Sequence, residues 1–374
     1  MIVLIAPDKF KGSLTARQVC EAIKEGLLAI NPALSINSIP LADGGEGTGE
    51  LLTDFSGGSY VKVKAFDPLF REIDSVYGIS SDGRTAFIEM ANISGLQLLQ
   101  PEERNPLYTS TFGTGELILH AMKHGARHII LGIGGSATND AGIGMAEALG
   151  FSFYSSDNKK LNPTGENLQH ISKVEKQNVN PLLSQTKFTV LCDVTNPLYG
   201  KNGAAHVFGP QKGADAAAIE ILDLGLQNFK KITAALNKEN DFPGAGAAGG
   251  LGSGTRVFLN AGLSQGFNFI STFTKLEGAV AKADLVITGE GKIDLQSLSG
   301  KVVRGVADLA KQYGKPCFAF TGKLDLSPTL VADLGFQAVI SISNGYIAET
   351  EAITNAFSIL KMRTNALKPL ISAV

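Results

Sequence analysis

Residues 132–150 read GIGGSATNDAGIGMAEALG, and this stretch decides the fold. The apolar run His128 to Ile133 before it reads as a buried strand. The run breaks at Gly134-Gly135-Ser136. Thr138, Asn139 and Asp140 follow, three residue types that cap helix N-termini. The small residues Ala141 to Leu149 then predict a helix, with Gly150 as the glycine just past its end. Strand, glycine turn and helix together are one βα unit of a parallel sheet. Helix N-termini expose unpaired N–H groups and a positive dipole end, and glycines let an anion approach. A phosphate suits such a place better than a carboxylate side chain. A tight βα turn filled with small residues fits the same letters, and the motif alone does not separate the two.

Around this unit lies an ordinary α/β composition. The 374 residues suggest two or three domains; 44% are hydrophobic, 18% are charged and 43 are glycine. A glycine excess of this size means many turns that come close to something. The formal net charge of -2 offers no basic face for nucleic acid and no polybasic membrane patch. Cys20, Cys192 and Cys317 stand far apart in apolar runs, as reduced thiols of a cytoplasmic protein do. The opening MIVLIAPDKFKG lacks a basic n-region and turns polar early, so it reads as a first strand rather than a signal peptide. No apolar run approaches the ~20 residues of a membrane span.

Strand Ile2 to Ala6 runs into Asp8, Lys9 and Lys11. Thr15 and Gln18 form a capping box for a helix reaching about Ile30, with Val19, Ile23 and Leu27 on one face. Strand Ser35 to Pro40 delivers Asp43 and Glu46 in a glycine-rich turn. A helix over 50–55 and a strand over 60–65 complete a βαβαβ half. Arg71 to Met90 reads as strand, Ser80–Gly83 turn, strand, an antiparallel excursion that marks a boundary near Phe66-Asp67-Pro68. Phe112 opens a helix ending at His124-Gly125. His120, His124 and His128 repeat every four residues, but His128 lies past the glycine, so basic groups at a helix C-terminus fit better than a metal site. Strand Phe188 to Cys192 ends in Asp193, and Phe208 to Ala214 forms a glycine loop around Lys212. Residues 243–254, PGAGAAGGLGSG, contain a literal G-x-G-x-x-G, but no strand precedes it, so the dinucleotide fingerprint fails its context test and a loop is expected. Leu276 to Ala281 predicts a helix. Strand Ala283 to Thr288 ends in a loop carrying Glu290, Lys292 and Asp294. A helix over 301–313, strands over 317–320 and 338–342 and a closing helix over 349–367 restore the alternation. The expected architecture is α/β with two domains: residues 1–65 plus 282–374 form a Rossmann-like parallel-sheet domain built from both chain ends. Residues 66–281 form an inserted α/β domain with the glycine loop.

Ligands bind outside the carboxyl ends of strands in open α/β sheets. The strand ends here carry Asp8/Lys9/Lys11, Asp43/Glu46, Gly134 to Asp140, Asp193, Lys212 and Glu290/Lys292/Asp294. Phosphoryl transfer needs donors around phosphates, a metal on carboxylates, cations for developing charge and a base for the acceptor hydroxyl. These loops supply each. The chain has no P-loop, no protein-kinase signature and no G-x-S-x-G elbow. A dinucleotide oxidoreductase and a non-catalytic binding protein for small acids are the rival classes.

Six segments then carry a resemblance: Asp8-Lys9-Phe10-Lys11-Gly12-Ser13-Leu14, Asp43-Gly44-Gly45-Glu46-Gly47, Gly134 to Asp140, Asp193-Val194-Thr195-Asn196-Pro197-Leu198, Phe208-Gly209-Pro210-Gln211-Lys212-Gly213 and Thr288 to Asp294. In this order they resemble the bacterial type I glycerate kinase family, from Ile2 to about Gly305. The resemblance implies two α/β domains with an active-site cleft between them. It also implies ATP- and Mg²⁺-dependent phosphorylation of D-glycerate, in glyoxylate or sugar-acid catabolism, with 2-phosphoglycerate the usual product and 3-phosphoglycerate left open. On that reading Gly134, Gly135, Ser136, Asn139 and Lys212 bind the nucleotide, Lys11 and Asp8 bind glycerate, and Asp43 and Glu290 hold the metal. Asp193 is the expected base and Asp294 the second candidate.

Overall fold

The computed structural model describes residues 1–236, 239–298, 302–343 and 349–372. The chain divides into two compact units, Met1–Asp43 with Phe267–Val374, and Gly44–Gly266. The strands in chain order are β1 (Ile2–Ile5), β2 (Ser35–Ser38), β3 (Ser59–Phe66), β4 (Glu72–Ile79), β5 (Thr85–Glu89), β6 (His128–Gly132), β7 (Ser152–Tyr154), β8 (Lys173–Glu175), β9 (Lys187–Leu191), β10 (Gly262–Ser264), β11 (Leu285–Ile293), β12 (Cys317–Leu324) and β13 (Ala338–Ser341).

The first unit is a parallel sheet of order β13-β12-β11-β1-β2. Both chain ends build it: Val3 lies opposite Leu285 and Ile2 opposite Ser35. Val3, Leu4 and Ile5 are fully buried, as parallel strands covered on both faces must be. The capping box forms as the sequence predicts, with the Gln18 amide donating to Thr15 Oγ1 at 3.2 Å and the Thr15 amide to Gln18 Oε1 at 2.9 Å. The helix Ala16–Ile30 buries Val19, Ile23 and Leu27 against the sheet and against Ile359 and Leu360. Each such side chain is worth about 1.5–3 kcal/mol. From β1 the chain proceeds outward to β2, and from β11 it proceeds the other way to β12 and β13. The strand order therefore reverses between β1 and β11, the position where open α/β sheets bind ligands.

Two expectations for this unit need correction. Gly289 to Ile293 are not a loop: β11 continues through them because β12 pairs with it as far as Ile293 opposite Leu324. Gly291 permits this extension, since a Cβ there would lie 2.9 Å from the Lys11 amide nitrogen. The closing helix is broken into Glu349–Thr354, Ala356–Arg363, a 3-10 turn Thr364–Leu367 and Lys368–Ile371. Pro369 cannot donate within a continuous helix, and Thr364 seats directly on Gly26, where a Cβ would meet its Oγ1 at 2.3 Å. Lys301, the expected start of the next helix, lies outside the described residues; the helix Val302–Gln312 follows it.

The second unit is a six-stranded sheet of order β10-β9-β6-β5-β4-β3. Its β5, β6, β9 and β10 run parallel, and the hairpin β3–β4–β5 is antiparallel. Here the expected junctions shift. Residues 59–66 do not join the first sheet, because all eight pair with β4, from Ser59 opposite Ile79 to Phe66 opposite Glu72. Asp67 closes the turn by accepting from the Leu69 and Arg71 amides. The junction therefore falls after Asp43 instead of after residue 65. At the other side the first unit takes the chain from Phe267 instead of 282, because the Phe267 ring packs over Gly305.

PGAGAAGGLGSG is not a loop. Its last eight residues belong to the helix Ala247–Leu259, kinked by left-handed backbone at Ala248, Gly249 and Gly250, and are mostly buried. A Cβ on Gly249 would lie 2.1 Å from the Thr138 carbonyl oxygen, and one on Gly246 2.1 Å from the Pro197 carbonyl oxygen. These glycines serve close packing. No helix of the described residues is long and apolar enough to cross a membrane.

Candidate active site

In the second unit β6 ends at Gly132 and the chain turns through Gly134 and Gly135, both exposed, with Gly135 at φ +74°. The turn is fastened from behind. The Leu96 amide donates to the Gly135 carbonyl at 2.9 Å, the Ala137 amide to the Ser94 carbonyl at 3.0 Å, and Thr109 Oγ1 to the Ala137 carbonyl at 3.0 Å. These bonds leave the amides of Gly134, Gly135 and Ser136 without an acceptor among the described residues. Adjacent free N–H groups in a glycine turn form an anion-binding concavity.

The helix N-terminus is not part of that concavity. The helix begins only at Ile143, after Ala141 and Gly142 in left-handed conformation. Asp140 occupies its first turn: Oδ1 accepts from the Gly142 amide at 3.0 Å and Oδ2 from the Gly144 amide at 3.2 Å. The Thr111 amide and hydroxyl donate to Oδ2 as well, at 2.8 and 2.7 Å. A carboxylate side chain thus fills the place the sequence offered to a phosphate. Burial pushes the Asp140 carboxyl up, and these hydrogen bonds pull it back.

Asn139 is fully buried, and neither polar atom of its carboxamide has a partner among the described residues. Thr138 Oγ1 is likewise orphaned. Each such group costs about 1–3 kcal/mol, so the loop carries unused hydrogen-bonding capacity just behind the exposed turn. Lys212 is only 2% exposed; its Nζ donates to Ser136 Oγ at 2.7 Å and to the Thr138 carbonyl at 2.6 Å. Burial lowers its pKa to about 7, with the Asp140 charge acting in the opposite direction.

Asp193 follows β9 and is exposed. Its Oδ1 accepts from the Gly266 amide at 2.8 Å, and a Cβ on Gly44 would approach Oδ2 to 3.4 Å. Sequence reasoning passed over Glu89. This nearly buried carboxylate ends β5, accepts from the Gly49 amide at 2.6 Å and lies near Gly132. A charged residue closing an otherwise apolar strand was the signal for it.

In the first unit the strand ends at the topological reversal carry carboxylates. Asp8 follows β1, is 7% exposed, and accepts from the Lys9 amide at 2.6 Å. Its pKa rises to about 7, first through burial, then through the Asp43 charge and, more weakly, Glu290; Lys9 opposes the shift. Asp43 is half-buried beyond β2, and Glu290 is 8% exposed within β11. Asp43 and Glu290 are therefore each close enough to act on Asp8. No group of three or more His, Cys, Asp or Glu side chains is arranged for a metal among the described residues. Two carboxylates with phosphate oxygens and waters suit Mg²⁺, however, and the donors here are all oxygen. Lys11 is exposed, beside Gly12 at φ +76°. Asp294 pairs with Lys292 at 3.0 Å, and Lys292 also reaches Asp325 at 3.0 Å.

The histidines form no metal-ligating group among the described residues. His120 and His124 stack at the helix C-terminus, where the Tyr77 hydroxyl meets His120 Nδ1 at 3.0 Å, and His128 starts β6. All three cysteines are free thiols.

Comparison with known proteins extends over almost the whole chain. A profile described as "Glycerate kinase family" matches residues 3–372. A protein of Halalkalibacterium halodurans named glycerate kinase is 44% identical over 361 residues, covering 96% of this chain and 95% of that one. One of Escherichia coli K12 named glycerate 2-kinase is 44% identical over 359 residues, covering 96% and 94%. The crystal structure of a candidate glycerate kinase 2 from Salmonella typhimurium LT2 superposes with a TM-score of 0.89 at 41% identity, covering 100% of this chain and 98% of that one.

Proposed function

The chain belongs to the glycerate kinase family, and from that premise we propose that it transfers the terminal phosphoryl group of ATP to D-glycerate. The product is 2-phosphoglycerate, in keeping with the name of the Escherichia coli relative. The observation that carries this reading is similarity across 96% of the chain to proteins named for that activity. The physical support is a set of carboxylates at the reversal of one sheet and a turn of unpaired amides at the end of another.

Phosphoryl transfer is mostly positioning and charge stabilisation. The amides of Gly134, Gly135 and Ser136 hold nucleotide phosphate oxygens, with the spare carboxamide of Asn139 behind them. Lys11 pairs with the glycerate carboxylate, a charge-assisted contact worth roughly 1.5–3 kcal/mol. Asp8 accepts a hydrogen bond from a glycerate hydroxyl. Asp43 and Glu290 hold Mg²⁺, which when bound offsets the negative charge of the phosphates. Asp193 takes the proton of the attacking hydroxyl. Its position is fixed by β9 before it and by the Gly266 amide. Asp294 is the second choice, since its bond to Lys292 favours ion-pair work. The enzyme acts in the cytoplasm, in keeping with three free thiols.

The rival readings draw no support from the structure. The G-x-G-x-x-G that suggested a dinucleotide is packed against Thr138 and Pro197. ADP release, followed by a coupled assay over a panel of small hydroxy acids, tests the proposal. Turnover should require glycerate; release driven equally by every acid, or by none, overturns it.

A further inference from the structure

A surface glycine turn needs something beneath it to hold its shape and to carry positive charge. Lys212 meets both needs from inside the second unit. It ends the 3-10 turn Pro210–Lys212, which is locked in place by Gly213 at φ +91°, where a Cβ would lie 2.0 Å from the Arg104 carbonyl oxygen. From that anchor the side chain runs through the core to the underside of the loop. Its Nζ joins Ser136 Oγ and the Thr138 carbonyl, two points that straddle Ala137. At 2% exposure the ammonium has no open path to a ligand on the outer face of the turn.

We infer that Lys212 is a positioning residue, fixing the turn Gly134–Ser136 from beneath and passing its charge to a bound phosphate through the Ser136 hydroxyl. This rests on the reading that the turn holds nucleotide phosphate. Ser136 Oγ accepts from Lys212, so its own proton points elsewhere and is free to be donated to an anion. A hydroxyl that accepts from an ammonium is polarised into a stronger donor. The charged group acting on Lys212 is Asp140 of the same loop, whose carboxylate is itself occupied by Thr111, Gly142 and Gly144. A phosphate above the turn adds a second negative charge on the other side of Ser136. Such a charge favours the ammonium over the amine, and burial holds this lysine close to that balance, at about 7. Above neutral pH, nucleotide binding therefore draws a proton onto Lys212.

The test uses full-length Lys212→Met, Ser136→Ala and Gly135→Val variants beside the wild type. Steady-state kinetics give the KM for ATP and for glycerate, and thermal unfolding reports the fold. Calorimetry of ADP binding at pH 8, in two buffers of different ionisation enthalpy, counts protons. Lys212→Met should raise the ATP KM at least tenfold and leave the glycerate KM within twofold in a chain that still folds, with a Tm lowered modestly because the buried Thr138 carbonyl loses its partner. The wild type should take up a fraction of a proton with ADP, and Lys212→Met none. Ser136→Ala should weaken ADP binding and reduce the uptake. A Lys212→Met chain that unfolds early and loses both KM values equally marks Lys212 as packing only and overturns the inference. Unchanged ADP affinity and proton uptake in folded Ser136→Ala overturn it as well. If Gly135→Val leaves the ATP KM unchanged, the phosphate reading of the turn fails first; if Gly135→Val raises it and Lys212→Met does not, the role of Lys212 alone fails.

Discussion

The amide of Asp8 donates to the carbonyl of Gly289 at 2.8 Å, extending the ladder between β1 and β11 past the end of β1. This bond fixes a buried carboxyl at the reversal of the sheet. In the folded chain Asp8 keeps its proton to about pH 7, whereas an ordinary aspartate releases it near 3.8. Folding therefore retains a proton through that window, and stability falls as pH rises from 3.8 to 7. Asp8→Asn removes this dependence. Denaturant unfolding should show the variant gaining on the wild type between pH 4 and pH 7, by at most about 1.4 kcal/mol per pH unit. A difference between the two proteins that stays constant with pH contradicts the burial argument.

Gly135 occupies the left-handed region, and a Cβ there would touch Ala91 Cβ at 3.3 Å. Gly135→Val should distort the row of free amides and raise the ATP KM about tenfold or more with the fold intact by circular dichroism. An unchanged ATP KM removes the turn from the nucleotide site.

Lys11 is exposed in the turn after β1, and the proposal pairs it with the glycerate carboxylate. Lys11→Met should raise the glycerate KM by roughly tenfold to a hundredfold, as loss of a charge-assisted bond implies, and affect ATP much less. Equal losses for both substrates would show that Lys11 serves phosphate or structure.

Asp193 is tied to the Gly266 amide through one oxygen. If it removes the hydroxyl proton, Asp193→Asn should lower kcat by roughly 10²–10⁴ while both KM values stay near wild type. A raised glycerate KM with kcat preserved makes it a binding residue and passes the base to Asp294.

Much of the scaffold could be read from local patterns. The Thr15–Gln18 capping box, the Ser80–Gly83 turn and the strand ending at Asp193 depend on neighbours in sequence, and each forms where the letters place it. The errors arise where a distant partner decides. Residues 59–66 follow a βα alternation but are taken by the antiparallel pairing with β4. Gly289 to Ile293 look like a loop until β12 extends alongside. In the site, the strand-end carboxylates were visible, but the competition for the helix N-terminus was not. Thr138, Asn139 and Asp140 all have capping chemistry, and only the fold shows that Asp140 reaches Gly142 and Gly144 while Asn139 turns into the core. The burial of Lys212 was not legible either, since burial is a property of the packed chain.

Nuclear magnetic resonance of the products from a reaction containing the protein, ATP, Mg²⁺ and D-glycerate reads the transfer at the phosphorus atom itself. One new phosphomonoester should form in step with ADP, its phosphorus coupled to the single proton on carbon 2 of glycerate. Coupling to the two carbon 3 protons would contradict the product assignment, and ADP without any phosphorylated glycerate would contradict the activity itself.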